Sequence, residues 1–303
     1  MVEISASMVK ELRERSGAAI MDCKKALVEA AGDFEKAFEW LRQKGVAVAS
    51  KKAARTASEG LVVGQVSADG RVGAMVEVNC ETDFVARNPE FVELTREICD
   101  QVAQTKPKSV EEFLKQPHGS GTIADLITEK VAKTGENIVV RRLTVFELGA
   151  ASGAVGLYIH ALGGKMGGLI ELESSKAAPP QELSALAREI SMHTVSAKPQ
   201  YLSRQGVPKE ILENERRIES GKADLAEKKP EIREKIVQGR VDKILAERCL
   251  LDQPFVKDPS LTIGQYLKQK GSLWGAELTP RRFALYILGE AAGQPEGDSN
   301  GSS

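Results

Sequence analysis

The pattern of apolar and polar positions predicts a helical beginning to the chain. Over residues 1–54 the apolar residues recur every three or four positions, which is typical of amphipathic helices. Cap residues and glycines divide this stretch into three helices. They run from Ser5 or Ser7 to Arg15, from Met21 to Ala31, and from Phe34 to Lys44, where Gly45 ends the third. We therefore predict a compact three-helix module in residues 1–54.

Runs of β-branched and alternating residues follow and predict strands mixed with helices. Asn88 followed by Pro89 marks a helix start, because Asn is a good cap and Pro suits the first helical position. The predicted elements are a hairpin of Leu61–Val66 and Val72–Val78 turned at Ala68–Gly70, a helix from Asn88 to about Gln104, a helix over Ile123–Lys133, and a strand over Ile138–Leu148.

The same order of elements occurs twice. Thr122–Gly149 matches Thr262–Gly289 at a constant offset of 140 residues. Upstream, a strand (Gly73–Val78) repeats at an offset of 94, and a helix (Leu94–Ile98) repeats at an offset of 92. Each copy is predicted to be a small sheet with helices on one face, so the fold class is α+β.

The two copies differ in two places. Copy one has two more residues between its strand and its helix, in the stretch Asn79–Asn88. Copy two carries about 48 extra residues between Ile190 and Thr262, in which Pro208 and Pro230 each open a helix. Apolar residues recur at helical spacing in the second of these helices, at Ile232, Ile236, Val241, Ile244 and Leu245. The insert, at about residues 200–250, is predicted to be an antiparallel helical hairpin whose apolar seam packs against itself or against a partner.

These elements divide the chain into four predicted segments. They are the three-helix module (1–54), copy one (55–149), copy two with its hairpin insert (150–290), and a polar tail (291–303) that is predicted to be disordered. Residues 51–55 are a basic connector. A solvated linker is favoured there over a nucleic-acid-binding arm, because no aromatic residues interleave with the basic ones.

Composition narrows the class of protein. The net charge is −1, which gives no reason to expect binding to nucleic acid or to an anionic membrane. The beginning of the sequence shows no signal-peptide pattern, and no apolar stretch approaches the ~20 residues of a membrane span. The four cysteines are scattered without a C-x-x-C motif, which suits free thiols in a reducing compartment. We therefore expect a cytoplasmic protein.

The strongest candidate for a functional site is the stretch Thr82-Asp83-Phe84-Val85 in the longer connection of copy one. One interpretation is local: Asp83 accepts hydrogen bonds from turn amides, and Phe84 packs under the helix that Asn88 caps. The other is functional: the phenyl ring enters a pocket of a partner, and the carboxylate competes for the partner's charges or metal. The residue types alone leave both open.

The other candidate motifs give weaker evidence for a functional site. Gly163–Gly168 fails the phosphate-loop pattern, because Lys165 is followed by Met166, and it is interpreted as a hairpin turn. His160 and His193 lack further ligands at metal spacing, so core or interface histidines are favoured. Arg141–Arg142 and Arg281–Arg282 begin repeated strands and are expected to be structural. No catalytic motif is visible, so a binding or regulatory protein without cofactor or metal is favoured over an enzyme.

Several separated motifs occur along the chain: Leu12–Ala18 followed by Met21–Leu27, then Glu77–Ala86, then Met192–His193 with Ser196–Pro199, and finally Gln253–Val256 with Pro259–Ser260. Taken together, these motifs resemble the bacterial elongation factor Ts family. The resemblance covers about residues 1–290 in the order of the family. Members are guanine nucleotide exchange factors for elongation factor Tu, the GTPase that delivers aminoacyl-tRNA to the ribosome. The resemblance therefore implies this partner, and a function without covalent catalysis.

The resemblance also implies roles for single residues. The three-helix module would be a ubiquitin-associated-like domain that docks on the GTPase domain, with Arg13, Ile20 and Met21 at the contact; the family often has Met at position 20. The stretch Thr82–Val85 would disturb the partner's Mg²⁺ and phosphate contacts, with Asp83 and Phe84 matching the family's Asp-Phe pair. His160 and His193 of the second subdomain would contribute to a further contact, and the helical hairpin would match a coiled-coil arm linked to homodimers.

Two other functions stay open at this point. A chaperone or assembly subunit could hold the same GTPase without exchanging its nucleotide. An enzyme could use an unrecognised site at His160 and His193.

Overall fold

The computed structural model describes residues 4–16, 18, 20–149, 152–161 and 163–290. The predicted tail, 291–303, lies outside these residues. The helices are α1 (Ala6–Ser16), α2 (Ile20–Glu29), α3 (Phe34–Lys52), α4 (Asp83–Ala86), α5 (Pro89–Thr105), α6 (Val110–Leu114), α7 (Ile123–Thr134), α8 (Pro180–Ala197), α9 (Lys209–Ser220), α10 (Pro230–Arg248) and α11 (Ile263–Trp274). The strands are β1 (Glu59–Val66), β2 (Val72–Cys80), β3 (Pro117–His118), β4 (Gly121–Thr122), β5 (Val139–Glu147), β6 (Gly153–Ile159), β7 (Met166–Ser174), β8 (Pro254–Phe255), β9 (Asp258–Thr262) and β10 (Leu278–Ile287).

The first three helices pack around a small apolar core. Ser5 caps α1, since its hydroxyl accepts a hydrogen bond from the Met8 amide at 3.2 Å. Asp33 caps α3 by accepting from the amides of Glu35 and Lys36. The buried residues lie at helical spacing on the facing sides: Val9, Leu12, Cys23, Ala26, Leu27 and Ala37. The three-helix arrangement that the apolar spacing predicts is therefore present.

The predicted end of the third helix at Gly45 is wrong, because α3 continues to Lys52. Gly45 is buried, and a Cβ built on it would lie 3.5 Å from the Cβ of Ala132 in α7. A glycine inside a helix costs only about 1 kcal/mol relative to alanine, which the packing of α3 on α7 offsets. The predicted connector is consequently tied down: Lys52 Nζ donates to the Gly135 carbonyl, and Asn137 Nδ2 donates to the Arg55 carbonyl at 2.9 Å.

Two three-stranded sheets have the same internal order. The strands lie as β1-β2-β5 in one sheet and as β6-β7-β10 in the other. In the second sheet β7 pairs antiparallel with both neighbours, with Leu157 opposite Leu169 and Phe283 opposite Ile170. The middle strands β2 and β7 are buried along nearly their whole length. The chain is thus built from helices and sheets together, which confirms the α+β class.

The chain divides into two compact units. One contains residues up to 61 together with 76–143, and the other contains 62–75 together with the chain from 144 onward. These units do not follow the predicted boundaries at 54 and 149, which stay predictions. The reason is local packing in the second unit, where Val62 and Met75 from the first hairpin join a buried cluster with Leu169 and Tyr286.

The core of the second unit lies between α8 and its sheet. Ile170 and Leu172 of β7 pack against Leu186 and Ile190 of α8. The helix approaches β6 closely at Gly156, where an added Cβ would lie 2.2 Å from the backbone of Ala187. Only glycine fits such an approach of helix to strand.

The insert of copy two is a pair of helices, α9 and α10, that begin after Pro208 and at Pro230. Val237, Val241 and Leu245 form a buried stripe on α10 and pack with Leu225 and other apolar residues of the insert. The apolar seam therefore packs against itself here. Ile232, which the sequence assigned to this seam, is instead exposed near the start of α10.

Candidate functional site

The candidate site is a connection between β2 and α5 that we term the Phe84 loop, residues Glu81–Asn88. Two caps shape it. Thr82 begins the single-turn helix α4, and its hydroxyl accepts from the Val85 amide at 3.4 Å. Asn88 begins α5, and its side chain accepts from the Glu90 amide at 2.9 Å. Because each cap fixes a helix start, the chain between them has little freedom.

Phe84 lies at the outer side of this loop with 83% of its surface exposed. The local interpretation, in which Phe84 packs under the following helix, is therefore wrong. Ala86 is the residue of α4 that turns inward and is buried. A phenyl ring left in water forgoes burial worth about 25 cal/mol per Å² of apolar area. Burial of the Phe84 ring in a pocket of another molecule would recover that free energy.

Asp83 precedes Phe84 in the sequence and forms a weak ion pair. Its Oδ2 lies 3.0 Å from Nη2 of Arg87, in an i,i+4 pair whose arginine is largely exposed. Such solvent-exposed pairs contribute at most about 1 kcal/mol. The Val85 amide of the loop donates to the hydroxyl of Thr82 rather than to the carboxylate of Asp83. The Asp83 carboxylate can therefore exchange Arg87 for another cation at small cost.

A glutamate that the sequence interpretation missed lies under the loop. Glu136 Oε2 accepts from the amides of Glu81 at 3.1 Å and Thr82 at 3.0 Å, and its Oε1 accepts from the Thr82 hydroxyl at 2.6 Å. In return, Glu81 Oε1 accepts from the Asn137 amide at 2.7 Å. The sequence contained a signal for this glutamate, since the two copies differ at its position. At the offset of 140 residues, copy two has Ala276 where copy one has Glu136.

The cysteine next to the loop is chemically quiet. Burial raises the pKa of the Cys80 thiol to about 12, and its Sγ lies 3.2 Å from the Thr82 carbonyl. Reactive cysteines have a lowered pKa and access to solvent, and Cys80 has neither. Within the described ranges, no group of three or more His, Cys, Asp or Glu residues is arranged to hold a metal ion. The loop thus presents the aromatic ring of Phe84 and the carboxylate of Asp83, and its neighbouring cysteine is not a reactive nucleophile.

The other predicted contact residues of the first unit lie on the surface of the three-helix module. Ile20 and Met21 open α2 and are exposed, Met21 by 71%, while Cys23 of the same helix faces the core. Arg13 is exposed on α1. Ile20 and Met21 thus give the beginning of α2 two adjacent apolar side chains on its exposed side.

The two histidines of copy two have different environments. His160 follows β6, is half-buried, and its Nδ1 lies 3.3 Å from the Tyr158 hydroxyl. His193 is 0% exposed, with Nε2 3.0 Å from Gln253 Oε1 and Nδ1 accepting from the Val256 amide at 3.3 Å. Burial lowers the pKa of His193, so the neutral ring is favoured. The structure therefore places His193 in the core and does not present it to a partner.

Comparison with known proteins decides the family. The family model described as elongation factor TS matches residues 81–290. The chain is 45% identical over 303 residues to elongation factor Ts of Nostoc sp., covering 98% of this chain and 96% of the relative. It is 46% identical over 296 residues to that of Clostridium acetobutylicum (97% and 95%), and 42% identical over 300 residues to that of Trichlorobacter lovleyi (97% and 96%).

The chain belongs to the elongation factor Ts family.

Membership in the elongation factor Ts family makes the chain a translation elongation factor of protein biosynthesis. The family model begins at Glu81, the first residue of the Phe84 loop. In the described part of the chain, every helix is too short or too polar to cross a bilayer.

Proposed function

We propose that the chain promotes exchange of GDP for GTP on elongation factor Tu by inserting Phe84 and Asp83 beside the partner's Mg²⁺ and phosphate site. The observation that carries this proposal is the 83% exposure of Phe84 on a loop held by two caps and by Glu136. An aromatic side chain held out in this way is suited to act as a wedge. Thr82 and Val85 serve the wedge by forming the turn that carries it.

The physical mechanism is coupling between two binding equilibria. GDP is held by contacts to the phosphate loop and by Mg²⁺, a hard cation that bridges phosphate oxygens and protein oxygens. A protein that binds the nucleotide-free GTPase more tightly must weaken nucleotide binding by the same factor. The Asp83 carboxylate would compete for the partner's cations, while the Phe84 ring would open the packing around them. No covalent step is needed.

The free energy required is larger than one side chain supplies. Accelerating GDP release by ~10⁴ requires lowering the barrier by about 5.5 kcal/mol. Truncating a strong hot-spot residue costs only about 2–4 kcal/mol. We therefore propose that Arg13, Ile20 and Met21 anchor the three-helix module on the partner while the Phe84 loop distorts it. His160, which is half-buried rather than buried, would add a contact from the second unit.

The test is release of a fluorescent GDP analogue from elongation factor Tu in millimolar Mg²⁺, with the chain added at increasing concentration. We expect saturable acceleration that weakens strongly in Asp83→Ala/Phe84→Ala. Leu273→Ala is a matched control, since Leu273 is also a large exposed apolar residue but lies outside the proposed surface. Binding without acceleration would reject exchange and favour a chaperone or assembly subunit that holds the same GTPase.

A homodimer through the helical hairpin is a further proposal. The seam between α9 and α10 is already filled by the hairpin itself, so a second copy would have to use other residues. Ile218 on α9 and Ile232 on α10 are exposed and apolar. Sedimentation equilibrium should then show a dimer that Ile218→Asp/Ile232→Asp dissociates, and a monomer at all concentrations would reject the proposal. We further propose that the activity takes place in the cytoplasm, since the proposed partner works with ribosomes.

A further inference from the structure

We propose that Glu136 is the positioning residue of the Phe84 loop, and that it sets the maximal rate of nucleotide exchange rather than the affinity for the partner. The second half of this inference rests on the proposed function. The first half concerns only the loop and can be tested in the free chain.

The contacts show how one carboxylate fixes the loop. Glu136 accepts three hydrogen bonds, two from consecutive amides and one from the Thr82 hydroxyl. Hydrogen bonds to an ionised acceptor are stronger than neutral ones. The Thr82 hydroxyl is used twice, because it donates to Glu136 at 2.6 Å and accepts from the Val85 amide at 3.4 Å. Glu136 therefore orients the residue that caps α4, and α4 carries Phe84.

The position of Glu136 is itself fixed. Helix α7 ends at Gly135, whose φ of +74° turns the chain sharply, and Glu136 is the next residue. Lys52 of α3 donates to the Gly135 carbonyl. On the other side, the Asn137 amide donates to Glu81 at 2.7 Å, and the Asn137 side chain donates to the Arg55 carbonyl. Residues 135–137 thus form a stiff base between α3 and the loop.

Copy two shows that the scaffold does not need this carboxylate. Ala276 occupies the equivalent position, and the neighbouring Glu277 instead pairs with Ser175 through its backbone: its amide donates to Ser175 Oγ at 2.8 Å, and its carbonyl accepts from the Ser175 amide at 2.9 Å. The repeated sheet and helices therefore close without a glutamate here. Glu136 is present in the copy that exposes an aromatic residue, which indicates a role in presenting Phe84 rather than in folding.

The first experiment measures amide hydrogen exchange of Glu81 and Thr82 in the free chain. We expect Glu136→Ala to speed exchange at both amides by about 10-fold or more, because a charged acceptor is lost. Glu136→Gln keeps the shape and one oxygen acceptor, so its rates should lie between those of Glu136→Ala and the unchanged chain. Glu129→Gln is the control, since it makes the same chemical change at an exposed position of α7. Unchanged protection at Glu81 and Thr82 in Glu136→Ala overturns the inference.

The second experiment measures GDP-analogue release from elongation factor Tu as a function of the concentration of each variant. We expect the maximal rate to fall about 10-fold in Glu136→Ala and less in Glu136→Gln, with the half-saturating concentration within about 2-fold. A purely structural role would not produce this separation. A change in half-saturation with an unchanged maximum overturns the assignment to rate. If the unchanged chain itself gives no acceleration, the proposed function and the rate assignment fail together, and the amide rates alone decide the positioning role.

Discussion

The two copies join the middle strand of the sheet to the following helix by connections of different structure. In copy one, residues 81–88 form two caps and a single-turn helix that holds Phe84 outward. In copy two, residues 175–179 run directly into α8, which has no side-chain cap, and Ala178 packs against the core. The connection in copy one exposes the ring of Phe84 to solvent, whereas the connection in copy two buries the side chain of Ala178 partly against the core.

Elsewhere the copies keep the same devices. Capping boxes at Thr122–Asp125 and Thr262–Gln265 begin α7 and α11. Left-handed glycines at Gly135 and Gly275 end the same two helices. The two copies therefore agree at the ends of these helices and differ in the connection that carries Phe84 in copy one. The expected basic pairs are also structural in both copies: Arg142 Nε donates to Glu77 at 2.7 Å, and Arg282 Nε donates to Glu171 at 2.6 Å.

The largest expected effect concerns these ion pairs. Glu77 is 0% exposed and the side chain of Arg142 only 13% exposed, whereas the side chain of Arg282 is 42% exposed. Arg142→Leu removes a close cation from the buried Glu77 carboxylate and leaves Arg141 at the longer distance of 3.9 Å, so it should lower the free energy of unfolding by about 3 kcal/mol. Arg282→Leu should cost clearly less, because solvent already screens that pair. Urea unfolding measures both losses, and equal losses would contradict the dependence of the cost on burial.

The next effect concerns Phe84 alone. Phe84→Ala should lower the maximal exchange rate by about 10- to 100-fold without abolishing exchange, since the remaining contacts still hold the partner. The free energy of unfolding should change by less than about 0.5 kcal/mol, because the ring is exposed. The reciprocal change Ala178→Phe should add no exchange activity. Complete loss of exchange in Phe84→Ala with binding intact would contradict the distribution of the free energy over several contacts.

A smaller and equal effect is expected at the two helix-ending glycines. Gly135 has φ +74° and Gly275 has φ +64°, and a Cβ would meet no atom within 4 Å at either position. The cost of alanine is therefore conformational only, about 1 kcal/mol at each site. Thermal or urea unfolding of Gly135→Ala and Gly275→Ala should give matching losses. A much larger loss at one of them would mean that the two scaffolds are not equivalent there.

The last prediction uses a difference between the helices α5 and α8. At the offset of 92, copy one has Gln101 where copy two has the buried His193. Burial lowers the pKa of His193 below its ordinary value of 6.5, so the unfolded chain takes up a proton before the folded chain does. The contribution of His193 to stability is thus present above pH 6.5 and is lost as the pH falls through the lower pKa of the folded state.

Unfolding measured between pH 7 and pH 5 tests this sign. We expect His193→Gln to reduce the loss of stability on acidification relative to the unchanged chain. The same pH dependence in the unchanged chain and in His193→Gln would assign the loss to other groups.

Local signals were the most reliable part of the sequence interpretation. Asn88-Pro89 predicted the start of α5, and Pro208 and Pro230 predicted the two helices of the hairpin. These signals depend on residues within one or two helical turns, so the predictions made from them do not require the tertiary structure. The prediction at Gly45 was wrong for the same reason. A glycine locally favours a helix end, but here the helix continues because Gly45 packs near Ala132, which is 87 residues away in the sequence.

The sequence by itself determined the α+β class, the internal repeat, the family and the stretch that contains Asp83 and Phe84. Each of these depends on the order and spacing of residue types. Only the tertiary structure decided that Phe84 points outward, that His193 is buried, and that Glu136 holds the loop. Those facts depend on contacts between distant positions, such as Thr82 and Glu136, which are 54 residues apart. Such contacts leave no periodic pattern along the chain, because folding alone brings the two positions together.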